Sequence, residues 1–341
     1  MFKVQNRIKS CSLKCSQYNF DTSEPHELTV VLIEKQTKSK LHKFHYIVHR
    51  NFLEIMRVSD WKSNGKLYSV SGRTIFVIDK GNSKETLVIL HGYPTSSYDY
   101  YKVLPELAKK YRVIIHDHLG FGFSDKPINY SYSLIEQADV ALQLWKQLGL
   151  TNITLLAHDY GTSIATEIIA RDNLQQTDIH IKKLILCNGS MHIELAKLRT
   201  IQKLLRNKWI GKWGAKIANQ GIFNNNIRKI YYDSSKLTKE ELNDMWFQIE
   251  YNEGRKVIHL ISNYINERHF FWHRWIGALK ATKIPTQIIW AVNDPIAVKE
   301  IALQLQYEIS NNQLCWLENT GHFPMLENPT AWSQLILESA G

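Results

Sequence analysis

Three polar side chains form a candidate catalytic set, because each comes shortly after a strand-like apolar stretch. Asp159 lies in a tight turn between a strand and a helix, and Asp294 and His322 each follow a later strand. A carboxylate nucleophile can displace a group at a saturated carbon, and a histidine base can then activate water to cleave the resulting ester. Each residue alone would usually be structural, since Asp before a helix is a favoured N-cap. Their shared placement favours catalysis, with Asp294 orienting His322.

The turn around Asp159 resembles the nucleophile elbow of the α/β-hydrolases, G-x-S-x-G, with aspartate where serine would stand. In that fold the oxyanion hole takes one backbone N–H from the loop after an earlier strand and one from the residue after the nucleophile. His91-Gly92-Tyr93-Pro94 is such a loop. We therefore assign the hole to the amides of Tyr93 and Tyr160. Ser163 lies beyond the turn, so we do not expect a serine esterase.

The elements that would position these residues alternate between strand and helix. Continuous apolar strands separated by helices predict a mostly parallel sheet covered on both faces, and Ser71-Gly72 suits a hairpin turn. The predicted strands are 66–70, 73–79, 86–90, 111–115, 153–157, 183–187, 287–291 and 313–317, and the helices are 132–148, 161–171 and 297–309.

A long interval interrupts this alternation and predicts the domain organisation. Residues 191–282 are helical in character and too long for a single crossover, so we predict a helical cap inserted over the sheet edge where such enzymes hold their sites. The predicted core is 58–190 and 283–341. Residues 1–57 form a basic extension of unknown role, with strand-like stretches at 29–33 and 44–48.

The composition of the chain excludes disordered, collagen-like and disulfide-scaffold proteins. The 341 residues are 44% hydrophobic and 22% charged, which is typical of a globular chain. Of the net charge of +10, residues 1–57 carry +5, and the remaining mild excess gives only weak grounds for a nucleic-acid or anionic membrane partner.

No apolar run is long enough for a transmembrane helix. Four cysteines without regular spacing suit a reducing compartment, so we expect a cytoplasmic protein. Organelle targeting or peripheral membrane association through the N-terminal segment stays an alternative.

No cofactor or metal is expected. His116-Asp117-His118 invites a metal hypothesis, but no third distant ligand is evident, and the segment is better interpreted as a strand end. The sequence has neither a P-loop nor a complete dinucleotide-binding glycine motif.

The chain resembles the Asp-nucleophile branch of the α/β-hydrolases, which contains epoxide hydrolases and haloalkane or haloacid dehalogenases. The resemblance extends from Trp61 to near the C-terminus. Its most specific blocks are residues 91–99, 119–127, 158–161 and 275–279. It implies an α/β-hydrolase fold, an Asp159 nucleophile and a covalent ester intermediate.

Departures from the branch bear on the substrate. Haloalkane dehalogenases typically place Trp after the nucleophile, and many place Asn after His-Gly, whereas this chain has Tyr160 and Tyr93. Epoxide hydrolases use two cap tyrosines as acids, and Tyr264 resembles the second of them. Tyr231 and Tyr232 are available for the first, although in a different setting.

These observations predict an epoxide hydrolase-like enzyme that acts on a small apolar molecule. The alternatives are a haloacid or haloalkane dehalogenase and a non-catalytic binding protein with the hydrolase fold. The predicted catalytic residues are Asp159, Asp294 and His322.

Overall fold

The computed structural model describes residues 15–16, 29–37, 40–48, 56–207 and 210–338. The chain divides into two compact units, 1–55 and 56–341. In the first unit β1 (Cys15–Ser16), β2 (Thr29–Thr37) and β3 (Lys40–Val48) form an antiparallel sheet in that order. Both strand-like stretches predicted there are confirmed.

An eight-stranded sheet forms the centre of the second unit. Its order is β11-β10-β9-β8-β6-β7-β5-β4, and every neighbouring pair is parallel except β4–β5 and β5–β7. The strands are β4 (Lys66–Val70), β5 (Arg73–Lys80), β6 (Thr86–Leu90), β7 (Arg112–His116), β8 (Asn152–His158), β9 (His180–Cys187), β10 (Thr286–Ala291) and β11 (Asn312–Leu317).

The described part of the second unit contains fourteen helices, some of which cover the two faces of this sheet. They are α1 (Val58–Asn64), α2 (Leu104–Leu107), α3 (Leu134–Gln147), α4 (Tyr160–Asp172), α5 (Thr200–Leu205), α6 (Gly211–Ile217), α7 (Gln220–Arg228), α8 (Lys239–Glu250), α9 (Ile258–Ile261), α10 (Tyr264–Phe270), α11 (Trp272–Ala281), α12 (Lys299–Glu308), α13 (Pro324–Glu327) and α14 (Pro329–Glu338). Short 3₁₀ segments span Ser97–Tyr100, Ser234–Lys236 and Tyr251–Lys256.

The continuous apolar strands are explained by burial on two sides. All five residues of β6 are buried, with Val88 and Leu90 in one hydrophobic cluster and Leu87 and Ile89 in the other. Side chains alternate across a strand, so a strand between two covered faces needs apolar residues at every position. The predicted α/β-hydrolase fold with a mostly parallel sheet is confirmed.

Element boundaries follow local chemistry. The hairpin between β4 and β5 turns at Ser71 and Gly72, which both have positive φ, 48° and 73°, as tight two-residue hairpin turns require. Helix α3 begins at Leu134, two residues later than predicted, because the Ser133 side chain accepts a hydrogen bond from the amide of Ile135 and so caps the helix.

In the described part of the chain, seven helices, α5 to α11, lie between β9 and β10, and we call residues 200–281 the helical insertion. Its last helix is fixed to α4 by Glu167, which accepts hydrogen bonds from the side chains of Arg274 and Trp275. The insertion is therefore anchored to the helix that follows Asp159. Within the described residues, no helix has the length and apolar character needed to span a bilayer.

Candidate active site

Asp159 occupies the sharp turn between β8 and α4. It is almost fully buried and has φ 45° and ψ −108°, a conformation that L residues rarely adopt. Close approach of strand and helix leaves no room for a side chain at Gly161, where an ideal Cβ would lie 2.4 Å from the carbonyl oxygen of Leu90. The strained geometry projects the Asp159 carboxylate beyond the end of the sheet, at the edge where α/β proteins hold ligands.

The loop after β6 meets this carboxylate. The backbone N–H of Tyr93 donates a 2.9 Å hydrogen bond to Oδ1 of Asp159. Tyr160 is the first residue of α4, where backbone N–H groups have no partner within the helix. The structure thus brings both predicted oxyanion-hole residues next to Asp159, with the Tyr93 amide in direct contact.

His322 and Asp294 lie at the same edge. Nδ1 of His322 is 2.6 Å from Oδ2 of Asp294, and its Nε2 is 3.8 Å from Oδ2 of Asp159. Asp294 is held in turn by backbone amides, since its Oδ1 accepts hydrogen bonds from Ile296 at 2.7 Å and Ala297 at 3.0 Å. The three residues predicted from separate parts of the sequence therefore form one continuous contact chain.

Asn188 is a member of this chain that sequence reasoning missed. Its Nδ2 donates to Oδ2 of Asp294 at 2.8 Å, and its Oδ1 accepts from the amide of Ala291 at 3.0 Å. Asn188 comes directly after β9 and has a φ of 41°. The sequence feature that could have identified Asn188 is its position as a polar residue immediately after a buried strand.

The carboxylates near His322 favour its charged imidazolium form and raise its pKa. Complete burial on its own lowers the pKa of His322, but the Asp294 carboxylate, followed by that of Asp159, outweighs burial and raises the pKa above the ordinary value of 6.5. The two carboxylates stabilise the imidazolium of His322 once it has formed.

Arg268 is the second residue that sequence reasoning missed. It is 1% exposed, and its guanidinium donates to the backbone carbonyl of Asp159 at 2.9 Å and to Oγ of Ser163 at 2.7 Å. Its cation lies 4.6 Å from the centre of the Tyr264 ring. Arg268 lies four residues after Tyr264 on α10, but the sequence does not reveal that this arginine points inward.

The candidate tyrosines have different surroundings. Tyr264 is fully buried, its ring centre is 5.4 Å from that of Tyr93, and its hydroxyl accepts a 3.1 Å hydrogen bond from Gln202. Burial raises its pKa above the ordinary range. Tyr231 packs against Phe323 with its hydroxyl buried and without a hydrogen-bond partner, and Tyr232 is half exposed. Tyr264 is thus the candidate acid whose ring contacts both candidate oxyanion-hole residues, Tyr93 and Tyr160.

A mainly apolar pocket opens onto Asp159 and His322. The helical insertion supplies most of its wall, including the polar residues Gln202, Asn219 and Asn226, and Arg199 lines the pocket just before the insertion begins. The apolar lining residues are Ile201, Leu205, Ala218, Ile222, Phe223, Ile227, Ile230, Trp246, Ile249, Ile258 and Ile296. The carboxylate therefore faces a space suited to an apolar molecule.

The histidines near the elbow are buried scaffold groups. His91 bonds the carbonyl of Gly92 through Nδ1 and accepts from the amide of His118 through Nε2, so it carries its proton on Nδ1. Burial lowers the pKa of His91 and of His158 to about 4 and that of His116 to about 3. Within the described part of the chain, no group of three His, Cys, Asp or Glu is arranged to hold a metal ion.

Comparison with known proteins places this geometry in context. A family model for the alpha/beta hydrolase fold matches residues 85–329. The mesoderm-specific transcript protein of Mus musculus is 37% identical over 279 residues, which cover 79% of this chain and 83% of that protein. The putative hydrolase LipZ of Mycobacterium tuberculosis (strain ATCC 25618 / H37Rv) is 33% identical over 280 residues, covering 82% and 96%. Among solved structures, the haloalkane dehalogenase DbeA from Bradyrhizobium elkani USDA94 superposes with a TM-score of 0.69 at 21% identity, covering 81% of this chain and 99% of that one.

Proposed function

This chain belongs to the α/β-hydrolase family, and from that premise we propose that it is an epoxide hydrolase-like enzyme with Asp159 as nucleophile. The observation that carries the proposal is the pair of contacts at one carboxylate. Oδ1 of Asp159 accepts from the Tyr93 amide, while Oδ2 lies 3.8 Å from Nε2 of His322. One oxygen is held in the candidate oxyanion hole, and the base stands beside the other.

In the first step of the proposed mechanism, a carboxylate oxygen of Asp159 attacks an epoxide carbon. A C–O ester bond forms, the epoxide C–O bond breaks, and the released alkoxide needs a proton. Tyr264 is the proposed donor, because its raised pKa keeps the phenol protonated at neutral pH. Its hydrogen bond from Gln202 uses a lone pair of the hydroxyl oxygen and leaves the proton available.

In the second step water attacks the ester carbon and transfers a proton to the neutral form of His322. The negative charge that develops on the former carboxylate oxygen is stabilised by the Tyr93 amide, with the Tyr160 amide as the second proposed donor. One such donor contributes about 3 kcal/mol to catalysis. The ester C–O bond then breaks, the departing oxygen takes the proton from His322, and the diol leaves. Asp159 is then a carboxylic acid and Tyr264 a phenolate, so the proton returns from Asp159 to Tyr264 and both groups are restored.

The helical insertion is the proposed cap. It supplies most of the apolar pocket wall and the candidate acid Tyr264. A haloalkane substrate is less well matched, because a departing halide needs N–H or O–H donors. The Tyr93 hydroxyl is already bonded to Ser262 at 2.9 Å, and Ser262 in turn donates to the carbonyl of Ile258.

A haloacid dehalogenase is the second candidate, and one observation favours it. Arg199 lines the pocket that also contains Asp159, so a substrate carboxylate would find a cation there. Halide release from fluoroacetate or chloroacetate, with no turnover of epoxides, would assign the site to that class instead.

The test is a trap for the ester. In His322→Gln the first step proceeds but the second is blocked, so an epoxide panel should leave its mass on the peptide that contains Asp159. The control is Asp159→Asn/His322→Gln, which should stay unmodified. With wild-type protein, one turnover in ¹⁸O-water should place the label in Asp159. Unmodified Asp159 across the epoxide and haloacid panels, together with turnover that survives Asp159→Asn, would refute the nucleophile. Absence of any turnover or adduct would favour a binding protein.

A further inference from the structure

Helix α6 in the helical insertion packs with its small residues inward and its large apolar residues outward. Gly211, Gly214 and Ala215 are buried, whereas Trp213 is 67% exposed and Ile217 64%. Close contact with α5 enforces this arrangement, since an ideal Cβ at Gly211 would lie 2.3 Å from the carbonyl oxygen of Leu205. Helices of globular proteins normally bury their large apolar residues.

The exposed residues lie on one face. Ile210, Trp213 and Ile217 are spaced by three and four positions, so they are neighbours on the helix surface. Ile210 is 47% exposed, which makes the three a continuous apolar stripe. We call Ile210, Trp213 and Ile217 the outer stripe. Exposed apolar patches of this kind usually mark an interaction site.

The charge of the chain segment that contains the outer stripe indicates the kind of partner. Residues 195–232 contain nine Lys or Arg and no Asp or Glu. Outside this segment and residues 1–57, the chain has 23 basic and 27 acidic residues. The mild net positive charge of residues 58–341 is thus the sum of one strongly basic segment, residues 195–232, and a remainder with a net negative charge.

We propose that the outer stripe and its basic segment dock this protein on an anionic lipid surface. Tryptophan and isoleucine enter the boundary between headgroups and acyl chains, while lysine and arginine pair with the anionic headgroups. A nucleic acid would be attracted by the charge, but it offers no apolar layer for isoleucine side chains. The outer stripe therefore favours lipid.

The basic segment that carries the outer stripe also forms part of the pocket wall. Residues Arg199, Ile201, Leu205 and Ile222 belong to the same basic segment and also line the pocket above Asp159. A surface-bound molecule would hold the pocket wall next to the lipid, where sparingly soluble apolar compounds accumulate. The docking surface stands whether or not Asp159 is the nucleophile.

Vesicle flotation with the full chain tests the proposal. Wild-type protein should float with phosphatidylcholine vesicles containing about 30% phosphatidylserine and not with pure phosphatidylcholine. Trp213→Ser/Ile217→Ser should lower the partition coefficient about tenfold or more. The matched control is Leu303→Ser/Tyr307→Ser, an exposed apolar pair at the same spacing on α12, 49% and 86% exposed. This control should bind like wild type.

A second pair of variants tests the charge. Lys203→Glu/Lys229→Glu, at exposed positions of the basic segment, should weaken binding and its salt dependence, whereas Lys66→Glu/Lys84→Glu should do so less. Binding that survives Trp213→Ser/Ile217→Ser would place lipid contact elsewhere, for example in residues 1–57, and overturn the proposal. Binding to an oligonucleotide but not to vesicles would overturn it too.

Discussion

The guanidinium of Arg268 donates a 2.9 Å hydrogen bond to the backbone carbonyl of Asp159. The same carbonyl accepts from the hydroxyl of Thr162 at 2.5 Å, so the strained turn is held from both α4 and the helical insertion. A buried charge is tolerated only where it is hydrogen-bonded, and Arg268 also donates to Ser163. The insertion thus fixes the backbone of the candidate nucleophile as well as walling its pocket.

Replacing Arg268 by methionine should therefore lower activity more than the same replacement of a surface arginine. We expect the free energy of unfolding to fall by about 1–3 kcal/mol, because Ser163 loses a buried partner. We expect kcat to fall about tenfold to a hundredfold, since small misplacements of a reacting group are costly. Urea unfolding and steady-state kinetics measure the two effects.

Arg274→Met is the matched control. Arg274 binds Glu167 between α11 and α4 and is partly exposed, so its loss should cost stability without lowering kcat comparably. Arg268→Lys, which keeps the cation but not the two-pronged geometry, should recover part of kcat. Equal kcat in the Arg268→Met and Arg274→Met variants would reduce Arg268 to a purely structural role.

The pH dependence follows from the raised pKa of His322. The ester-hydrolysis step needs neutral His322, so its rate should rise with pH to a plateau, with a midpoint that the Asp294 carboxylate moves to higher pH. The Asp159 carboxylate also raises the pKa in the free enzyme, but it carries no charge in the ester. Asp294→Asn removes the main partner that raises the pKa, so the midpoint should move to lower pH while the plateau falls. Single-turnover decay of the ester in wild type and in Asp294→Asn, followed across pH by rapid quenching, measures both. An unchanged midpoint in Asp294→Asn would contradict the assignment.

The raised pKa of His322 also predicts how the free energy of unfolding depends on pH. Because the folded pKa of His322 lies above its ordinary value of 6.5, the folded state binds the proton more tightly than the unfolded chain. This contribution is fully present below pH 6.5 and is lost as pH rises through the folded pKa. The difference in unfolding free energy between wild type and His322→Gln should therefore shrink from acidic to alkaline pH in urea titrations.

Much of the fold could be predicted because burial on both faces leaves a direct trace in the sequence. The strand at 86–90 was predicted with its observed limits, since all five of its residues are buried. Polar residues shortly after buried strands indicate a possible site, so the sequence alone predicts Asp159, Asp294 and His322 as catalytic candidates. Parallel strands place their carboxyl ends at one edge, so residues far apart in the chain meet there.

The remaining site residues could not be predicted, because their roles depend on side-chain direction across long separations. Arg268 meets Asp159 109 positions away, and Asn188 meets Asp294 106 positions away. Nothing in the local pattern of α10 distinguishes an inward arginine from a solvated one. The composition of the pocket wall is likewise set by how seven short helices pack, which no single period in the sequence encodes.

The elbow predicts a sharp difference between two glycines. Alanine at Gly161 would bring its Cβ to 2.4 Å from the Leu90 carbonyl, so α4 must move away from β6. We expect a loss of about 1–3 kcal/mol in unfolding free energy and a large loss of kcat. Gly277 on α11 has no heavy atom within 4 Å of an added Cβ, so Gly277→Ala should be neutral or stabilising by up to about 1 kcal/mol. Equal effects at both positions would contradict the close approach.

Tyr264 and Tyr231 give the last prediction, which separates an acid catalyst from a packing aromatic. Tyr264→Phe removes the hydroxyl proposed to protonate the epoxide oxygen, so formation of the Asp159 ester should slow by about a hundredfold or more. Hydrolysis of an ester already formed should keep its rate, because that step depends on His322. Tyr231→Phe removes a buried hydroxyl without a hydrogen-bond partner and should leave both steps unchanged.

Rapid quenching followed by mass measurement of the Asp159 peptide separates the two steps in each variant. Ring packing is conserved in both phenylalanine substitutions, so a general loss of order would slow both steps together. If Tyr264→Phe instead slows only ester hydrolysis, the hydroxyl acts through the water or His322 and the proposed acid is wrong. If Tyr231→Phe slows ester formation as much as Tyr264→Phe does, the acid role must be shared, since Tyr231 lies against Phe323, the residue that follows the candidate base.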